Sequence, residues 1–175
     1  MADVAFLAGT GKIKREEFKL FANVGTDELP EWELQGSRVE DLTLEMNPNV
    51  ETVTDITGVT DTVLDKYEKQ TSVEPYLAKR SSKLAAWLYN VVREEKTGSD
   101  VEKSFLVVNV FAGEGKNFDA WIQKSVVAVQ SYGGDTKGLQ IPYSLHWIGE
   151  KTFGTATIDG GKVTFSPAVP GVPGA

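Results

Sequence analysis

Apolar and polar residues alternate along much of this chain, and the clearest alternation lies in residues 39–57. There Leu42, Leu44 and Met46 are interleaved with Asp41, Thr43 and Glu45, the two-residue period of a half-buried strand. Asn47-Pro48-Asn49 reads as a turn, because proline fixes one backbone dihedral and asparagine tolerates left-handed geometry. After it, 50–57 resumes with the strand-favouring Thr52, Val53, Thr54 and Ile56. The pattern predicts one long hairpin over 39–57 with an apolar face and an acidic, threonine-rich face. Residues 58–65 are predicted as an irregular connector. Residues 66–78 are predicted as another strand, which Pro75 confines to a sheet edge or breaks.

Before the hairpin, residues 1–17 have weak periodicity around Gly9-Thr10-Gly11 and read as a flexible arm or an early strand. Residues 18–24 carry strand formers and stop at Gly25. In 30–34, Trp32 and Leu34 fall on one side of a strand and Glu31 and Glu33 on the other. One segment has helical spacing: Leu84, Trp87, Leu88, Val91 and Val92 recur on one face, with Lys83, Asn90, Arg93 and Glu94 mostly opposite. Ser81 or Ser82 can cap its start, and Thr97-Gly98-Ser99 stops it. A stripe of this kind is expected to lie on a sheet, with Leu84, Trp87, Leu88 and Val91 as the packed residues.

Further strands follow. Residues 105–112 are nearly continuously apolar, which predicts burial on both faces. Residues 118–132 run on after a loop at Gly113-Glu114-Gly115, and Gly133-Gly134 turns the chain. Residues 139–148 alternate, placing Leu139, Ile141, Tyr143, Leu145 and Trp147 on one face and His146 on the other, beside Ser144 and Gln140. Strands at 152–158 and 162–165 flank the compact turn Asp159-Gly160-Gly161. The proline-rich residues 167–175 are expected to form a mobile tail. Together these elements predict a single mainly β domain over 1–175, a β-sandwich or partly closed barrel with one flanking α-helix.

Composition narrows what such a domain can do. The 175 residues include 25 acidic and 18 basic side chains, for a formal net charge of −7. That balance argues against gripping nucleic acid, which requires cations to replace its counterions. Acids crowd the first half, at Asp27, Glu28, Glu31, Glu33, Glu40, Asp41, Glu45, Glu51 and Asp55. The basic groups Lys12, Lys14, Arg15 and Lys79, Arg80, Lys83 read as solvated surface. Cysteine is absent, which removes disulfides, thiol nucleophiles and thiolate metal sites. A single histidine, His146, excludes a metal site built from several imidazoles of one chain. No apolar run approaches the ~20 residues of a membrane span. The start, Met1-Ala2-Asp3-Val4, lacks a secretory signal pattern, so a soluble product of the cytosol is expected.

Reaction motifs do not emerge. Gly9-Thr10-Gly11-Lys12 lacks the spacing of a phosphate loop, and no Gly-x-Ser-x-Gly elbow occurs. His146 could pair with a serine and an acid, but a lone histidine on a polar face is more often surface. Carboxylates are numerous enough for a chance glycosidase-like pair, which carries little specificity. Neither the acidic hairpin nor Asp159-Gly160-Gly161 has the oxygen spacing of a calcium loop. No catalytic residue, cofactor site or metal site is therefore assigned, and no enzyme activity is expected. A carbohydrate- or protein-binding β-sandwich is the alternative, with Trp32, Trp121, Tyr143 and Trp147 as the aromatic candidates. A small β domain with a long two-faced hairpin and open strand edges must pair those edges with something. Repeating a head-to-tail contact around an axis closes a ring, which suggests an assembly subunit.

Residues 18–24 (Phe-Lys-Leu-Phe-Ala-Asn-Val), Glu31-Trp32-Glu33-Leu34, residues 39–48 and Ile56-Thr57-Gly58 resemble the N-terminal half of major tail tube proteins of tailed bacteriophages. The later order, a central helix at 82–95 and then strands up to the terminal hairpin, is similar too, so the likeness spans about 18–165. The resemblance implies a β-sandwich virion protein that forms hexameric rings. The rings stack into a hollow tube around a tape-measure protein and meet tail terminator and distal tail proteins at its ends. The tube delivers genomic DNA, which passes through without specific binding, and no membrane partner is implied. A long non-contractile tail fits best, with assembly in the host cytoplasm. On this reading Asp41, Thr43, Glu45, Glu51, Thr54 and Asp55 line the bore, where carboxylates repel the passing polymer. A solvated outer face is the other reading of those residues. Ring-to-ring contacts fall to Lys12, Lys14, Gly58, Val59, Asp61 and Asp65.

Overall fold

The computed structural model describes residues 3–37, 39 and 41–168. It is mainly β with one helix, a sandwich-like body whose strands form no closed barrel. In chain order the strands are β1 (Phe18–Asn23), β2 (Trp32–Leu34), β3 (Leu44–Glu45), β4 (Pro48–Thr54), β5 (Thr60–Tyr67) and β6 (Gln70–Val73). After helix α1 (Lys83–Glu94) come β7 (Glu102–Glu114), β8 (Asn117–Val129), β9 (Gly133–Asp135), β10 (Gly138–Gln140), β11 (Tyr143–Asp159) and β12 (Lys162–Pro167). The principal sheet is antiparallel and runs β2-β1-β7-β8-β11-β6-β3, with β12 also on β11. Two separate two-stranded ribbons, β4-β5 and β9-β10, stand apart from it.

The central strands are buried on both faces because α1 covers one face and the coiled sheet encloses a second core on the other. On the helix side Leu84, Ala85 and Leu88 pack with Phe105, Val107, Val127, Tyr143, Leu145 and Trp147. Opposite them, Phe21, Leu106, Val108, Ala120, Ala156 and Val163 form the second cluster. This explains the unbroken apolar run of β7, whose residues 105–108 are wholly buried. Three of the four residues expected on the helix's packed stripe, Leu84, Leu88 and Val91, are buried, and Trp87 is half-buried against the first core. Gly113 closes the β7-β8 hairpin tightly: a Cβ there would lie 2.2 Å from the Asn117 carbonyl oxygen.

A carboxylate fixes the start of α1. Ser82 is the N-cap and its hydroxyl accepts from the Ala85 amide at 3.0 Å. Glu33 of β2 accepts from the Ser82 hydroxyl, from Lys83 N at 3.0 Å and from Leu84 N at 3.3 Å. A negative group on otherwise orphaned helix amides is stabilised by the helix dipole. Glu33 therefore points toward the helix start, while Leu34 is exposed. Glu33→Ala is expected to cost about 1.5 kcal/mol of unfolding free energy, measured by urea denaturation; an unchanged midpoint would mean that the clamp is not formed in solution.

Several boundaries differ from the sequence expectation. Residues 39–57 are not one hairpin: Leu44–Glu45 pairs with β6, and Pro48 opens β4 instead of sitting in a turn. The partner of β4 is β5, so most of the supposed connector 58–65 is strand. The predicted strand 66–78 is cut, with β6 ending before Pro75. The stretches at 143–148 and 152–158 are one 17-residue strand, continuous through a register irregularity between Ile148 and Thr152. Leu139 belongs to the small β9-β10 ribbon and is exposed. Pro167 is paired in β12, and the Ala168 amide donates to the Phe153 carbonyl at 2.8 Å. The remainder of the expected tail, 169–175, lies outside the described residues, as do Met1, Ala2 and Glu40. The arm is an early partner of β7: Phe6 bridges Ala112, and the Leu7 amide donates to the Phe111 carbonyl at 2.9 Å.

Candidate functional site

The feature that most needs a partner is the β4-β5 hairpin. All of its strand residues are exposed except Asn49, which is half-buried. Its two strands bond only to each other, so both outer backbone edges are open among the described residues. Asn47 anchors its base: the Glu68 amide donates to the Asn47 carbonyl, and Asn47 Nδ2 donates to the Glu68 carbonyl, both at 3.1 Å. At the tip Asp55 accepts from Thr57 N at 2.8 Å, Thr57 Oγ1 at 2.6 Å and Val59 N at 3.0 Å. The Thr57 hydroxyl first, then the Val59 amide, holds the Asp55 carboxyl below its usual pKa of 3.8. Gly58 takes φ +81° in this turn, a conformation that side chains disfavour.

Register divides the hairpin into two unlike faces. Thr52 opposes Thr62 and Thr54 opposes Thr60, with hydroxyl contacts of 3.3 and 3.1 Å, and Val50 opposes Leu64 on the same side. Glu51 opposes Val63 and Val53 opposes Asp61 on the other side. Val50, Val53, Ile56, Val59, Val63, Leu64 and Tyr67 are all exposed here. An open-edged ribbon carrying this much apolar surface is a template for another chain.

The six residues predicted to line a bore are split by this geometry. Asp41, Thr43 and Glu45 line a shallow polar hollow with Ser72 and Glu74 at the β3-β6 edge, and Thr43 Oγ1 donates to Asp41 at 2.6 Å. Glu51 and Thr54 lie on opposite faces of the hairpin, and Asp55 lies in its tip. They form no single acidic face. The six residues predicted for stacking are all exposed: Lys12 and Lys14 on the arm, Gly58 and Val59 at the hairpin tip, Asp61 and Asp65 along β5.

A second cluster was not anticipated. Lys69 follows the hairpin base, and its Nζ donates to Gln123 Oε1 at 2.8 Å. Lys151 Nζ sits 4.1 Å from the centroid of the Trp121 ring. Burial pushes both ammonium pKa values down, and the charge of Lys151 depresses Lys69 further. Trp121 Nε1 is buried without a hydrogen-bond partner among the described residues. Sequence pattern could not reveal this group, since it joins three separate segments across the β8-β11 pairing.

Two of the four aromatic residues named for a binding platform lie in the interior. Tyr143 and Trp147 are core residues whose polar atoms are satisfied internally, by Gln35 at 3.0 Å and Thr71 at 3.0 Å, so they form no surface platform. His146 is on the outer face as expected, 3.2 Å from Ser144 Oγ, and no acid bonds to it among the described residues. Among the described residues no group of three or more acidic or histidine side chains is placed to hold a metal ion, and no helix is long and apolar enough to cross a membrane. No known protein family matches this chain, and no curated protein matches it either.

Proposed function

We propose that the chain is a structural subunit that assembles with copies of itself into rings stacked as a tube, the architecture of a phage tail tube. The observation that carries this reading is the projecting β4-β5 hairpin, with open backbone edges and apolar side chains on both faces that its own body does not cover. Association removes apolar surface from water and completes unpaired strands. On this reading the working partners are further copies, a tape-measure protein inside the tube and terminator and distal tail proteins at its ends. The protein acts as a conduit in the virion and not as a catalyst. Six copies at −7 carry roughly −42, which keeps DNA passing without adhering. Only carboxylates within about 8–10 Å of the polymer act at physiological salt. The hollow of Asp41, Thr43 and Glu45 is the favoured lining, because it is an intact acidic surface on the sheet body. Sedimentation velocity over a wide concentration range tests the reading. Mass rising with concentration to hexamers and their multiples is expected; one monomer boundary at every concentration would refute it.

A further inference from the structure

We propose that Lys69 and Lys151, flanked by the Trp121 ring, form the receiving half of a contact between copies, occupied by the carboxylates of Glu51 and Asp61 on a second copy's hairpin. This rests on the self-assembly reading and names the surface that the hairpin meets.

The receiving patch has donors and positive charge but no carboxylate in direct contact with either ammonium among the described residues. Lys69 Nζ spends one hydrogen bond on the neutral Gln123 amide oxygen, and Gln123 in turn donates to the Gly149 carbonyl at 3.0 Å. Lys151 Nζ faces the rings of Trp121 at 4.1 Å and Phe153 at 6.0 Å. Neither lysine is in an ion pair among the described residues. Asp119 is the acid whose charge Lys151 feels, and its Oδ2 already accepts from Asn109 Nδ2 at 2.9 Å. Two partly desolvated, mutually repelling ammonium groups are costly alone, and a carboxylate relieves both. That a chain with net charge −7 leaves both cations without a direct ion pair makes the patch a ready receptor for a carboxylate.

The hairpin supplies the complement. Glu51 and Asp61 lie on one face with Val53 and Val63 between them, and all four are exposed. The two carboxylates have no hydrogen-bond or ion-pair partner among the described residues, unlike Asp55 at the tip. Their acid–apolar alternation matches a patch that alternates lysine with the Trp121 and Phe153 rings. In one molecule the hairpin rises from Glu68, next to Lys69, and none of its strand faces is covered by its own body. The patch of one copy is therefore left for the hairpin of the next, a head-to-tail contact that closes a ring or propagates a stack.

Charge reversal tests this on the full-length protein. K69E/K151E alone and E51K/D61K alone are each expected to raise the concentration for half-assembly at least about tenfold, and combining all four substitutions to restore most of it. K69M/K151M, which keeps the aliphatic stems, should weaken assembly as well, so a folding defect of the glutamate variant does not decide the matter. If the wild type assembles and the lysine variants assemble equally well, or if the combined reversal recovers nothing, the contact is wrong while self-assembly stands. If the wild type never assembles, both readings fall.

Discussion

Phe105→Ala is expected to lower the unfolding free energy by about 3–5 kcal/mol. Phe105 has no solvent exposure and lies near the start of β7, paired with Ala22 of β1 on one side and Gln123 of β8 on the other. Its ring stands edge-on to Trp147, with centroids 5.9 Å apart and planes at 68°. It belongs to the same core as Leu84 and Leu88 of the helix above. A void here cannot easily collapse, because ladder hydrogen bonds pin the strand from both sides. In a chain of this size each kcal/mol moves the melting temperature by roughly 2–4 °C, so calorimetry should read a fall of about 10 °C. A change under about 1 kcal/mol would mean that the helix does not close tightly on the sheet.

The second large effect separates folding from assembly. Replacing residues 51–63 by Asn-Gly, the two-residue turn suited to antiparallel strands, shortens the hairpin to its base. The excised residues contribute nothing to either core cluster, so the denaturation midpoint should stay within about 0.5 kcal/mol of the original. Assembly, by contrast, should disappear at every accessible concentration. A shortened protein that still forms particles would show that the hairpin is ornamental. One that unfolds would show that it belongs to the body.

Part of this was legible in the chain and part was not, for identifiable reasons. Helix α1 stood out because a serine cap and a 3.6-residue stripe agree with one another, although it ends before the expected Thr97-Gly98-Ser99 stop, at Glu95, which caps it in the left-handed conformation at φ +49°. The terminal hairpin was equally plain, since Gly160 and Gly161 adopt φ +55° and +82° as a tight turn between antiparallel strands requires. The outward placement of His146 followed from simple alternation. The hairpin was misplaced because Asn47-Pro48-Asn49 has turn chemistry, yet proline is tolerated as the first residue of an exposed strand. The true turn was signalled more quietly, by Asp55 three residues before Gly58. Alternation placed Glu33 opposite Trp32 and Leu34 but cannot see that a helix N-terminus elsewhere in the chain will attract a carboxylate. The grouping of Lys69 and Lys151 with Trp121 was illegible for a related reason: the three stand in separate segments, and only the pairing of β8 with β11 brings them together.

The two acidic surfaces also carry different expectations. The hollow of Asp41, Thr43 and Glu45 sits on the sheet body and suits repulsion of a passing polymer. Glu51 sits with Asp61 on the projecting ribbon and suits a lysine-bearing neighbour. Treating them as one lining would confuse a surface that should stay free with one that should be covered.

The central claim is that a single molecule is an unfinished part of a larger particle. Negative-stain microscopy of the purified, concentrated protein addresses it most directly. Rings with an open centre, or tubes built from such rings, are the predicted result. A field of uniform single particles of about 19.1 kDa, unchanged by concentration or by adding a tape-measure protein, would contradict it.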